Sequence, residues 1–346
     1  MALLSGLRLE RALASPRYRD GTFHNTHSIS AGIHGNPLPV LGEFFFGGKK
    51  RVPRSPLPLE DPRDAWRHPN DSNLRLTWLG HSTLVIELGQ TRLLTDPVFG
   101  ERASPVSFAG PKRFHPPPVR LDQLPALDAI LLSHDHYDHL CISTLRELAR
   151  LGVPIVTSLG VGARLEALGF AAELVHELDW WESITLGELT FTATPAQHFS
   201  GRGMTDRNAT SWSSWVIESA AGRLFFSGDT GLTDEFSTIA ERFGGFDLTM
   251  LEIGAFDPAW ADIHLGARNA HRAFELLGGG TLLPVHWGTF DLALHPWDQP
   301  AEELVALCEA AGTRLITPRL GRLCVPSRIE TVDPWWRETS AQPKIG

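Results

Sequence analysis

Residues 133–140 read Ser-His-Asp-His-Tyr-Asp-His-Leu, with three histidines and two aspartates in eight positions. His134, His136, Asp138 and His139 are suitable ligands for a borderline-soft cation such as zinc. The motif directly follows the apolar run AILL (129–132). That places it at the C-terminal end of a strand, where a loop can turn side chains into a shared cleft. His134 and His136, two apart, can reach one metal, while Asp138 and His139 can reach a second. Three more polar residues lie at or just past apolar runs in the same manner: His198 after FTATPAQ, Asp229 after LFFSG and His286 after TLLPV. One such placement would be an ordinary loop or core residue. Three, together with the dense motif, point to a metal centre assembled from several strand ends.

The elements that must position these residues can be read from hydrophobic pattern and turn signals. The runs 74–79, 83–88 and 91–95 are strand-like and separated by short turns, and 128–133 is a buried strand. The stretch 143–152 is an amphipathic helix stopped by glycine, followed by a strand at PIVTS and a helix at GVGARLEALG. Strand pairs fall at 183–194 and 212–227. Helices at 233–243, 266–277 and 301–311 then alternate with strands at 246–253 and 281–285. The Pro-rich segment 104–119 reads as a surface loop. Strand clusters followed by alternating helices and strands, roughly twice over, imply two β-sheets packed face to face with helices outside.

Composition narrows the function. With 31 Lys and Arg against 40 Asp and Glu, the net charge of −9 argues against a nucleic-acid binder that works by phosphate neutralisation. Residues 1–70 are the exception, with ten basic against six acidic residues, and they read as an extended basic arm ahead of a domain at 71–346. The run FFFGGKKRVPR (44–54) has two readings: a peripheral contact with an anionic membrane surface, or an arm packing its aromatics onto the domain. Cys141, Cys308 and Cys324 form neither a disulfide framework nor a thiolate site and read as core. No secretory h-region or ~20-residue apolar span occurs, so the expected location is cytoplasmic, with peripheral membrane attachment the variant. Oligomeric state is not legible here.

HDHYDH, His198, the SGDTG aspartate and the late His286 resemble the metallo-β-lactamase superfamily. Within it, the chain is most similar to the phospholipase-D-type hydrolase of N-acyl-phosphatidylethanolamines and its bacterial relatives. WLGHST (78–83), LLTDPVFGERASP (93–105), GPKRFHPPP (110–118), ELDWWE (177–182), RFGGFDL (242–248), IGAFDPAW (253–260) and HWGTFDLA (286–293) carry that likeness, over roughly 70–325. The resemblance implies an αββα sandwich of two mixed β-sheets flanked by helices, with the metal cleft at one edge. It implies two Zn2+ per chain, with Mn2+ or Fe2+ as alternatives. One zinc would take His134, His136 and His198, the other Asp138, His139 and His286, and Asp229 would bridge. Zinc lowers the pKa of a bound water from ~15.7 toward ~7, which supplies hydroxide near neutral pH.

The expected function is a dinuclear zinc hydrolase of phosphodiesters, phospholipase-D-like on N-acylated phospholipids. Asp138 or Asp229 would orient the attacking hydroxide and His264 would assist the departing oxygen. The first alternative is a lactone or carboxylic-ester hydrolase on the same site; the second is a non-catalytic, metal-stabilised lipid-binding protein. Asp96 is read as orienting a ligand imidazole or as a plain turn residue. His81 is read as pocket wall or turn. Lys112 and Arg113 form an anion trap or a solvated loop. Trp287 and Phe290 wall the pocket or belong to the core. This chain has His295-Pro296-Trp297 where the family often carries an acidic residue before the proline, so leaving-group preference is not carried across.

Overall fold

The computed structural model describes residues 4–29 and 50–340. The N-terminal stretch, expected to be extended, instead begins with helix α1 (Gly6–Ala14) and a hairpin of β1 (Tyr18–Arg19) and β2 (Thr22–Phe23). Both dock on the body: Ala12 and Phe23 are buried with Leu159, Trp180 and Trp212. Of the run 44–54, residues 44–49 lie outside the described residues. Leu57 and Trp66, also ahead of position 71, are buried in the two main cores.

Two stretches of chain follow one plan, an antiparallel meander continued by parallel strands. In the first sheet β3 (Leu74–Gly80), β4 (Thr83–Leu88) and β5 (Thr91–Thr95) are antiparallel, and β6 (Ala129–Leu132), β7 (Ile155–Ser158) and β8 (Val175–Leu178) add in parallel. The second runs β9 (Ser183–Leu186), β10 (Leu189–Thr194), β11 (Ser214–Ser219), β12 (Gly222–Phe226), β13 (Leu248–Glu252) and β14 (Leu282–Val285), the last two pairings parallel. A late strand, β15 (Leu323–Cys324), closes the first sheet beside β3.

Strands such as β4 and β6 are buried on both faces because both faces are covered. In β4, Leu84, Ile86 and Leu88 join the inter-sheet core, while Val85 joins the layer under α2 (Ile142–Leu148) and α3 (Gly162–Ala167). Glu87 shares that covered strand and is tolerated because Arg75 and Arg92 pair with it. The second sheet is covered outside by α4 (Glu235–Phe243) and α5 (Gly266–Leu276), with Phe236 packed edge-on against Phe225. Helices α6 (Gln299–Ala311) and α7 (Arg337–Ser340) follow. The expected αββα sandwich of two mixed sheets is the observed architecture. Each fully buried aliphatic or aromatic side chain of this core contributes roughly 1.5–3 kcal/mol. Among the described residues no helix is long and apolar enough to cross a membrane.

Candidate metal centre

The loops that leave β5, β6, β12 and β14 converge at one edge of the sandwich. Gly228, with φ +54°, lets the Asp229 loop approach the β6 loop, since a Cβ there would stand 2.7 Å from that of Ser133. His81, Asp96 and His286 also have positive φ (53°, 31° and 61°). Such backbones cost on the order of 1–3 kcal/mol each and persist where the surroundings hold them. Here His286 N–H donates to the His81 carbonyl (3.1 Å), Asp96 N–H to that of Leu131 (2.9 Å), and His81 N–H to Thr289 Oγ1 (2.7 Å).

Two groups of side chains result. In the first, His136 Nδ1 lies 2.9 Å from His134 Nε2 and 3.2 Å from His198 Nε2. Asp229 Oδ2 stands 3.7 Å from each of those two Nε2 atoms. In the second, Asp138 Oδ2 is 3.2 Å from both His81 Nε2 and His286 Nε2, and 3.7 Å from His139 Nε2. Asp229 reaches this group too, with Oδ2 3.2 Å from His139 Nε2 and Oδ1 3.2 Å from His286 Nε2. Within each group the ligand atoms lie within 4.8 Å of one another.

Three features fit these groups to metal ions. Among the described residues, His139 Nε2 and Asp229 Oδ1 are buried without a hydrogen-bond partner although they lie near one another's group. A cation placed among these atoms would satisfy both. Next, Asp138 and Asp229 form ion pairs with histidines alone among the described residues. Buried carboxylates need a cation, and a divalent ion ligated by imidazoles supplies one. Finally, the far ring nitrogens of three of the histidines are anchored. His139 Nδ1 donates to Asp96 Oδ2 (2.6 Å), His134 Nδ1 to Ser133 Oγ (2.9 Å) and His198 Nδ1 to the Ile263 carbonyl (2.9 Å). Each bond leaves the Nε2 lone pair facing the cluster. Ser133 Oγ itself donates to Asp96 (2.7 Å), so one carboxylate orients two imidazoles.

The electrostatics of the two groups differ. Burial, reinforced for His134 by the neighbouring histidines, holds His134 and His198 well below the usual imidazole range. Burial also opposes charge on His139 and His286, yet Asp229 and Asp138 outweigh it. His139 is raised well above its ordinary value and His286 is pushed up to about 10. Burial would raise Asp138 and Asp229 as well, but His139 and His286 hold both well below the carboxylate range.

His264 borders the cluster, its ring centroid 5.2 Å from that of His198 and 5.4 Å from that of His286. Its Nδ1 donates to Glu252 Oε2 (2.7 Å), and Glu252 Oε1 accepts from Thr230 N–H (2.8 Å). Burial raises the Glu252 carboxyl, and although burial disfavours the His264 imidazolium, Glu252 raises its pKa. Glu252 was not among the sequence candidates, yet the signal was there: it is the one charged residue of LTMLE, at the end of an apolar strand. The rule that selects His198, Asp229 and His286 selects it as well.

Asp96 and His81 are both brought to the cluster. Phe290 packs edge-on against His81, centroids 5.2 Å apart. Trp287 turns the other way, stacking on Trp78 (5.4 Å) beside Trp335 in the core. Lys112 and Arg113 do not join the cluster. Lys112 pairs with Glu101 on the surface at 2.7 Å. Arg113 is buried, donating to the carbonyls of His115 (3.0 Å) and Val98 (2.8 Å) under Phe290, and burial lowers its pKa to about 10. A loop that needs internal donors at its own carbonyls takes up the cation that the sequence offers as an anion ligand.

Residues 91–287 match the family model described as a β-lactamase superfamily domain. The chain belongs to the metallo-β-lactamase superfamily. It is 43% identical over 329 residues to an uncharacterised protein of Mycobacterium tuberculosis, covering 93% of this chain and 88% of that one. It is 36% identical over 291 residues to N-acyl-phosphatidylethanolamine-hydrolyzing phospholipase D 1 of Caenorhabditis elegans, covering 79% and 82%. A metallo-β-lactamase fold protein of Bacillus subtilis superposes with a TM-score of 0.52 at 18% identity, covering 72% and 98%. That last likeness speaks for the fold of this superfamily member alone.

Proposed function

We propose that this metal-dependent hydrolase holds two divalent cations, zinc by preference, and cleaves phosphodiesters of the N-acylated phospholipid class. The observation that carries the dinuclear reading is Asp229, whose Oδ1 and Oδ2 both lie 3.2 Å from second-group imidazole nitrogens while Oδ2 also faces the first group. His134, His136, His198 and Asp229 would hold one ion, and Asp138, His139, His286 and Asp229 the other, with His81 seated on Asp138. An imidazole-rich donor set suits zinc. When bound, such ions acidify a water and polarise phosphoryl oxygens. Asp138 and Asp229, both ionised, orient the attacking water. His264, its Nδ1 fixed by Glu252, holds at Nε2 the proton that the departing alcohol oxygen takes as its bond to phosphorus breaks. Phe290 and His81 wall the cleft. The lipid class is supported by the worm relative, and of the basic residues in the run 44–54 the exposed Lys50 and Arg54 could meet a membrane surface, Arg51 being buried against Asp291.

Metal content per chain and turnover of bis(p-nitrophenyl) phosphate, an N-acyl-phosphatidylethanolamine and a simple lactone test this on one preparation. Two metals and metal-dependent cleavage of both phosphodiesters are expected. Asp229→Asn should remain folded and lose about 10³-fold in rate, the scale of removing a principal electrostatic stabiliser. Lactone turnover alone would reassign the substrate; a folded, metal-supplemented protein without stoichiometric metal would overturn the reading.

A further inference from the structure

The N-terminal segment makes a contact that lies outside both the sheets and the ligand set. Asn25 pairs its side-chain amide with both backbone groups of His198. Its Nδ2 donates to the His198 carbonyl (2.7 Å) and its Oδ1 accepts the His198 N–H (3.0 Å). The same Oδ1 accepts from Trp212 Nε1 at 3.1 Å. β10 ends at Thr194, so His198 lies beyond the ladder that would otherwise hold its backbone, and the residue is fully buried. Buried backbone groups must be paired somewhere, and here the partner comes from a residue 173 positions away.

Asn25 is itself fixed. Phe23, just before it, is buried against Trp180, Ala196 and Trp212, and its N–H donates to the Asn208 carbonyl at 2.8 Å. Thr26, just after it, donates to Glu235 at 2.5 Å, at the start of α4 and six residues past Asp229. Residues 23–26 therefore tie the loop carrying His198 to the element that follows Asp229.

We infer that Asn25 is a positioning residue of the metal centre, held in place by its neighbours in 23–26. It acts through His198, setting the main chain from which the imidazole reaches the three-histidine group, while the Ile263 carbonyl sets the ring. The inference rests on the proposed metal-dependent hydrolysis for its catalytic consequence, but not for its structural one. Loss of a partner that orients a ligand typically costs about 10–100-fold in metal affinity or activity.

The full-length chain is compared with Asn25→Ala and Asn25→Asp, the second of similar size but with an oxygen facing the His198 carbonyl in place of the donor. Arg11→Ala, which removes only exposed bonds to Glu177 and Glu182, is the control within the same segment. Amide hydrogen exchange across 196–200 is measured first, then cobalt content and visible absorption of Co2+-loaded protein, then kcat and KM on bis(p-nitrophenyl) phosphate. Both Asn25 variants should show faster exchange at 196–200, an altered cobalt spectrum with loss from the three-histidine group, and a kcat lowered about tenfold or more with KM little changed. Arg11→Ala should match the wild type. Wild-type exchange, cobalt spectrum and kcat in a folded Asn25→Ala or Asn25→Asp would overturn the inference. If the wild type itself takes up no cobalt, the proposed function falls, while the exchange measurement still decides whether Asn25 holds His198.

Discussion

The two halves of the metal centre share Asp229 but are backed by different chemistry. Behind the half formed by His134, His136 and His198 stand neutral partners: the Ser133 hydroxyl, the Ile263 carbonyl and the Asn25 amide. Behind the half formed by Asp138, His139 and His286 stand acids, with Asp96 on His139 and Glu252 3.8 Å from His286 Nδ1. Burial is nearly complete in both halves, so it does not separate them. What separates them is the carboxylate count. The first half keeps its imidazoles neutral with lone pairs available, whereas the second draws positive charge. In the proposed dinuclear centre, Asp229 would thus join a softer, nitrogen-rich site to a harder, oxygen-rich one.

The sharpest way to break this contrast, after Asp229→Asn, is Asp96→Asn. It removes the charge behind the second half and should weaken that half's metal by about 10–100-fold while sparing the first. Stepwise chelation followed by metal counting would reveal it; equal weakening of both halves would show that the Ser133 link to His134 matters as much as the direct contact. Next is Glu252→Gln, which keeps the shape but removes the charge facing His264. A kcat about tenfold lower on substrates with poor leaving groups, and nearly unchanged on those with good ones, is expected if His264 delivers a proton. Uniform loss across leaving groups would assign Glu252 to metal binding instead.

Acid should separate the halves by sign. Asp229 and Asp138 raise the pKa values of His139 and His286, so protons compete with a metal for these rings already on mild acidification. Lowered values at His134 and His198 mean that protons compete there only at much lower pH. On lowering pH from neutrality, the Asp138 half of a dicobalt protein should lose its metal first, followed by its absorption bands. The smallest effect is expected at Lys112. Its ion pair with Glu101 is exposed, so Lys112→Ala should leave both stability and turnover of a soluble phosphodiester unaltered. A marked rise in KM would return it to the cleft.

Much of the ligand set was legible in the sequence because strand ends announce themselves. An apolar run followed at once by His or Asp located His134, His198, Asp229 and His286, and the two-sheet architecture followed from the order of runs. Glu252 obeys the same rule but stands inside its strand rather than after it, so it reads as an interruption of apolar pattern. Asn25 carries no sign of its role in its own chemistry: it closes the family-like run DGTFHN (20–25), but its partners are the backbone of a residue remote in sequence. Helix α1 is similar. Its Arg8 and Arg11 find Glu177 and Glu182 only in the folded chain, and in the sequence they contribute to an apparently solvated basic arm. Trp287 shows the converse, because adjacency to His286 says nothing about which face of the loop its ring takes. Lys112 and Arg113 show that a basic pair in a Pro-rich loop has carbonyls and acids of its own to satisfy.

The most direct test of a shared two-site centre is anomalous diffraction at the zinc edge from crystals of the zinc-loaded protein. Two peaks are predicted, one among His134, His136 and His198 and the other among Asp138, His139 and His286, with an Asp229 oxygen within bonding distance of each. A single peak lacking Asp229, or none at full zinc loading, would contradict it.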